Sequence, residues 1–93
     1  MSDYRLFLEI RVFEQMRVLK SVERSRLLDA LEGIRLRPEH CSDYSESDSD
    51  GRRVCIHITG RFAVKYWEDA ADRHVKILDL HPADRTREQE RPN

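Results

Sequence analysis

Apolar and polar residues alternate over residues 4–10, YRLFLEI. Tyr4, Leu6, Leu8 and Ile10 fall on one side, and Arg5, Phe7 and Glu9 on the other. This two-residue period belongs to a strand with one buried face. From Val12 the period lengthens: Phe13, Met16 and Leu19 recur every third residue, which predicts a short amphipathic helix over about 12–19. Ser21 is placed to cap a second helix, with Glu23 in its first turn, where a carboxylate complements the helix dipole. Leu27, Leu28, Leu31 and Ile34 make its apolar stripe. Pro38 restricts Arg37 to extended geometry, so this helix, 21–36, stops by Leu36.

The next segment, SDYSESDSDG at 42–51, is Ser/Asp-rich and reads as an exposed, mobile loop. Strand signals then return. Val54, Ile56 and Ile58 alternate with Cys55 and His57, and Phe62, Val64 and Tyr66 alternate with Ala63, Lys65 and Trp67. A three-residue loop, Thr59-Gly60-Arg61, would pair Ile58 with Phe62 and keep both apolar sets on one face. A turn at 68–73 leads to Val75–Leu80, apolar on both faces and therefore expected mid-sheet. The tail after Pro82 is too polar to pack. The expected fold is α+β, ordered β-α-α-β-β-β. A helical hairpin covers one face of a mainly antiparallel four-stranded sheet and leaves the other face partly open. Leu28, Leu31, Ile56, Val64 and Ile77 are the expected core.

Composition bounds this picture. Ninety-three residues fit one domain, taken as 1–85 with a polar tail at 86–93. The hydrophobic fraction is 39% and the charged fraction 38%. No stretch approaches a membrane span, no apolar signal core opens the chain, and two cysteines are too few for a disulfide scaffold. A reducing cytoplasm is the expected location. Net charge is −1, yet Asp43, Glu46, Asp48 and Asp50 lie together in the 42–51 segment, and without them 17 bases face 14 acids. A local basic surface is compatible with that balance.

At this point the chain resembles the RelE/ParE toxin superfamily over about residues 3–85. The likeness rests on the short first strand, the helical pair ending in Leu36-Arg37-Pro38, and the final three-strand run. Phe62-Ala63-Val64-Lys65-Tyr66 is similar to the family's Tyr-Arg-Val-x-Tyr, and Val75-Lys76-Ile77-Leu78-Asp79-Leu80 to its Val-x-Ile-Leu-Arg-Ile. The resemblance implies a toxin of a toxin–antitoxin system, bound by an antitoxin protein. RelE-like members are metal-independent endoribonucleases that cut mRNA on the ribosome by 2′-hydroxyl attack, whereas ParE-like members inhibit DNA gyrase. Neither implies a cofactor or a membrane partner. Two family arginines fall on Ala63 and Asp79, so the resemblance implies weak or lost cleavage. The alternative is a non-enzymatic binder, either a gyrase inhibitor or a non-toxic relative that keeps antitoxin binding.

Cleavage of this type needs a base, an acid and cations for the phosphorane. Alternation places Arg53, Cys55, His57 and Lys65 on the face opposite Val54, Ile56, Ile58, Val64 and Tyr66, with Arg61, His81 and Arg85 at its border. His57 and His81 are the catalytic candidates, because imidazole exchanges protons near neutral pH. Arg53, Arg61, Lys65 and Arg85 are the candidates for RNA phosphate. The plainer reading of all six is a solvated sheet face. Trp67 could stack a base, but a strand-end aromatic more often packs. His40-Cys41 and Cys55-x-His57 lack zinc-finger spacing. Segment 46–51 resembles a calcium loop only superficially, since His57 stands where the twelfth-position carboxylate would be. No metal is expected.

Overall fold

The structure, a computed structural model, describes residues 3–83. The elements are β1 (Arg5–Leu8), α1 (Ile10–Arg17), α2 (Ser21–Leu36), a one-turn α3 (Pro38–Cys41), β2 (Tyr44–Ser47), β3 (Arg53–Thr59), β4 (Phe62–Asp69) and β5 (His74–Pro82). The sheet order is β1-β5-β4-β3-β2. β1 runs parallel to β5, and every other pairing is antiparallel. The expected α+β class and element order are present, with a fifth strand added.

That strand is β2, inside the segment expected to be a loop. Its four side chains are all exposed, so no buried face imprinted an alternation on the sequence. Backbone pairing with β3 and a tight turn hold it instead. Asp48 Oδ1 accepts the N–H groups of Asp50 and Arg52, each at 2.9 Å, and Gly51 (φ 82°) completes the reversal.

The main core lies between the helical pair and one sheet face. Val12, Met16, Leu27, Leu31 and Ile34 pack on Cys55, Val64, Tyr66, Val75, Ile77 and Leu80. Four of the five expected core residues are buried: Leu31, Ile56, Val64 and Ile77. Leu28 is half-exposed, as is Phe13, because the buried seam of each helix runs one position away, through Leu27 and Val12. Ser21 is not the cap of α2. Lys20 holds that position without a side-chain bond, and Arg24 secures the turn by donating to Leu19 O at 2.9 Å.

The β3–β4 hairpin also differs from expectation. Thr59 pairs with Phe62 across a two-residue turn, Gly60-Arg61, with Gly60 at φ 57°. Ile58 therefore faces Ala63, and His57 faces Val64. One residue of register exchanges every side chain between faces. The apolar run misleads here because Val54, Cys55 and Ile56 are consecutive and all buried. β3 is apolar on both faces, so alternation alone cannot choose between them.

Candidate functional site

The register assigns the two sheet faces residue by residue. The helix-covered face carries Cys55, His57, Val64, Tyr66, Ile77 and Leu80. The opposite face is crossed by three rows: Phe7, Lys76, Trp67, Val54 and Glu46; then Asp79, Lys65, Ile56 and Tyr44; then His81, Ala63 and Ile58. A bulge between Lys65 and Tyr66 keeps β4 and β5 in step along both faces.

The candidate histidines do not converge. His57 is on the helical side, where its Nδ1 lies 2.7 Å from Cys41 O and 3.6 Å from the Asp43 carboxylate. His81 pairs with Ala63 on the other face. The expectation that His57 shares a face with Lys65 is corrected by the hairpin register. Arg53 keeps to the side of Cys55 and His57, exposed, and donates to Ser45 Oγ at 3.2 Å. Arg61 turns toward α2 and grips Glu23 with two bonds, at 2.5 and 2.9 Å. That grip holds the Glu23 carboxyl below its ordinary range. Lys65 stands on the open face, opposite Asp79 and 3.4 Å from Glu46 Oε2. Arg85 lies outside the described residues.

The centre of this face is apolar. Ala63 and Ile56 are fully buried and pack with Ala83, at the end of the described residues. The position to which the family resemblance assigns an arginine therefore sits within a small apolar cluster. Trp67 is half-buried on the same face as Lys65. The Arg52 guanidinium lies over its ring at 4.7 Å and the Lys76 ammonium at 4.9 Å. Arg52 is also bonded to Asp48 at 2.8 Å, and Lys76 lies 3.4 Å from Asp69. Sequence reasoning missed this grouping because Arg52 reaches Trp67 only through the β2–β3 turn.

Cys41 and Cys55 are free thiols, and burial pushes the Cys41 thiol up. His57 Nδ1 is directed at a backbone carbonyl, which does not suit a shared metal with them. Among the described residues, Asp69, Asp72 and His74 bring ligand-type atoms within 4.8 Å of one another. Asp69 there already receives the Asp72 N–H and the Lys76 ammonium. No described helix is long and apolar enough to cross a membrane.

No protein-family model matches this sequence, and no curated protein matches it. Solved structures do. The archaeal RelE–RelB complex from Pyrococcus horikoshii OT3 aligns with a TM-score of 0.73 at 22% identity, covering 88% of this chain and 97% of the other. The isolated E. coli RelE toxin gives 0.68 at 14% identity, covering 92% and 97%. An arginine-to-alanine double mutant of E. coli RelE, in complex with an antitoxin RelBc peptide, gives 0.59 at 15%, covering 97% of each. The chain thus has the fold of the RelE toxins.

Proposed function

We propose that this chain is the RelE-fold member of a toxin–antitoxin pair, that it acts by binding protein partners, and that its cleavage of mRNA is weak or absent. The observation that carries the second half is the burial of Ala63 against Ile56 and Ala83. A cation there would need space and solvation that the cluster does not offer. His57 and His81, on opposite faces, cannot serve one phosphate as base and acid without a change of register. Arg61 turns away to Glu23 on α2, and Lys65 stands between Glu46 and Asp79, so a phosphorane beside Lys65 would meet carboxylates as well as the ammonium.

Support for a protein partner comes from the helical layer. Ile10, Phe13, Val18, Val22, Leu28 and Leu36 are all large, apolar and exposed. Phe13 and Leu28 border a groove between α1 and α2 with Leu8 and Met16. The apolar side chains that this groove brings together form the kind of contiguous exposed surface that marks an interaction site. Two of the structural neighbours are RelE proteins bound to RelB or a RelB peptide, which fits an antitoxin-type partner in the cytoplasm.

The deciding experiment combines co-purification with the product of an adjacent gene and primer extension on ribosome-programmed mRNA. Complex formation without cuts is the expected result. Cuts at wild-type level that vanish in a His57→Ala, His81→Ala double mutant would restore the ribonuclease reading. Growth arrest without cuts would point to DNA gyrase as the target.

A further inference from the structure

The β2–β3 hairpin carries its acids onto the cations of the open sheet face. Glu46 lies 3.4 Å from Lys65. Asp48 is bonded to Arg52 at 2.8 Å, with Asp50 at 3.9 Å from the same guanidinium. Arg52 in turn lies over Trp67. The hairpin thus sets three carboxylates against the cations of this face, the charge pattern that a polyanion would also present. The aromatic plane beneath Arg52 is of the kind that stacks unpaired bases.

We propose that residues 43–51 form an autoinhibitory strap, an internal mimic of a polyanion that keeps single-stranded nucleic acid off the face formed by Arg52, Lys65, Trp67 and Lys76. The strap suits such a role because its backbone, paired with β3 and closed by the Asp48 turn, holds it, and its acidic side chains are not needed to bury any surface. All four β2 side chains are exposed, and each of its ion pairs is at least partly solvated, where such pairs contribute little to stability. A competing polyanion that offered several phosphates at once would exchange readily with these carboxylates. This proposal is independent of the antitoxin reading, because it concerns the opposite side of the molecule from the α1–α2 groove.

The test compares binding of a fluorescein-labelled oligouridylate to three forms of the full chain. These are wild type, the strap variant E46Q/D48N/D50N, and E9Q/E14Q/D29N, which changes net charge equally at exposed positions on or beside the helices. The D48N change keeps a side-chain oxygen that can accept the turn's N–H groups. At about 0.15 M salt the strap variant should bind at least about tenfold tighter than wild type. Its log–log salt slope should steepen by roughly 1.4, from two phosphate contacts at about 0.7 each on a single strand. Adding K65Q to the strap variant should remove most of the gain. E46Q alone, at an exposed strand position, should give a smaller gain of the same sign, and stands in if the triple variant does not fold. An equal gain in E9Q/E14Q/D29N would reduce the effect to net charge and overturn the proposal. No gain in E46Q or the strap variant, or a gain that survives K65Q, would overturn it as well.

Discussion

The phenol of Tyr66 crosses the core from β4 and donates a hydrogen bond to the carbonyl of Pro38 on α3, 2.5 Å away. Tyr66 is fully buried and Pro38 is buried too. This bond ties the corner that ends the helical layer to the centre of the sheet. Tyr66→Phe removes the donor and leaves a buried carbonyl unpaired, which costs about 1–3 kcal/mol. Urea denaturation should show that loss with an unchanged m-value.

The same phenol makes stability depend on alkaline pH. Burial, reinforced by the nearby Cys55 and Cys41 thiols, pushes its pKa well above the ordinary 10.0. The folded state therefore holds this proton more tightly than the unfolded chain. The stabilisation is complete below the unfolded phenol's pKa and is lost as pH rises from there through the folded value. Wild type should lose stability steeply above about pH 10. Tyr66→Phe should show a shallower decline, with contributions of the same sign left from Tyr4, whose pKa its hydrogen bond to Glu68 raises, and from the Cys41 thiol, raised by burial.

Leu31 and Leu28 separate the two uses of apolar surface on α2. Leu31 is 1% exposed and Leu28 49%. Leu31→Ala should cost about 2–5 kcal/mol, the range for emptying a packed leucine site. Leu28→Ala should stay within about 0.5 kcal/mol in the isolated chain. It should nonetheless weaken capture of the antitoxin-type partner, read by titration calorimetry.

How far the sequence reveals this structure follows from where burial leaves a one-sided trace. β1 and the two helices are legible because each buries one side: Leu6 and Leu8 in the strand, Val12 with Met16, and Leu27 with Leu31 and Ile34. Stripe positions drift by one residue where a neighbouring apolar side chain, Phe13 or Leu28, competes for the same pattern. β3 is legible as a strand but not in its facing, because Val54, Cys55 and Ile56 are all buried. Placing Thr59 in the turn, when it belongs to the strand, puts His57 on the wrong side. β2 left no trace, since backbone pairing and the Asp48 turn hold it. For the site, the replacement at Ala63 could be read from the resemblance. Its enclosure by Ala83 depends on β5 reaching Pro82 opposite Phe62, which no local pattern encodes.

Arg61 and Glu23 give a second titration with the opposite sign. The hydrogen bonds from Arg61 stabilise the ionised Glu23 carboxylate and lower its pKa from 4.5. The linked stabilisation is present above the unfolded carboxyl's pKa and is lost as pH falls through the folded value. Arg61 is exposed and Glu23 partly so, and the signature therefore belongs to the residue more than to global unfolding. In carboxyl-detected NMR, Glu23 should titrate below its ordinary range in wild type and return to it in Arg61→Ala.

Ala63→Arg tests whether the apolar cluster excludes the chemistry or merely lacks one side chain. Ala63 is 0% exposed, faces His81 and Ile58 across the strands, and packs with Ile56 and Ala83. A guanidinium introduced there must either displace Ala83 or stay partly desolvated next to Ile56. Overpacking alone costs about 1–3 kcal/mol, and an uncompensated buried charge adds to that. Thermal unfolding should move down by at least about 4 °C for a domain of this size. The variant should also fail to cut ribosome-programmed mRNA, because His57 remains on the other face and Lys65 remains beside Glu46. A stable Ala63→Arg protein that gains cleavage would mean that a single missing cation, and not the rebuilt face, silences the fold.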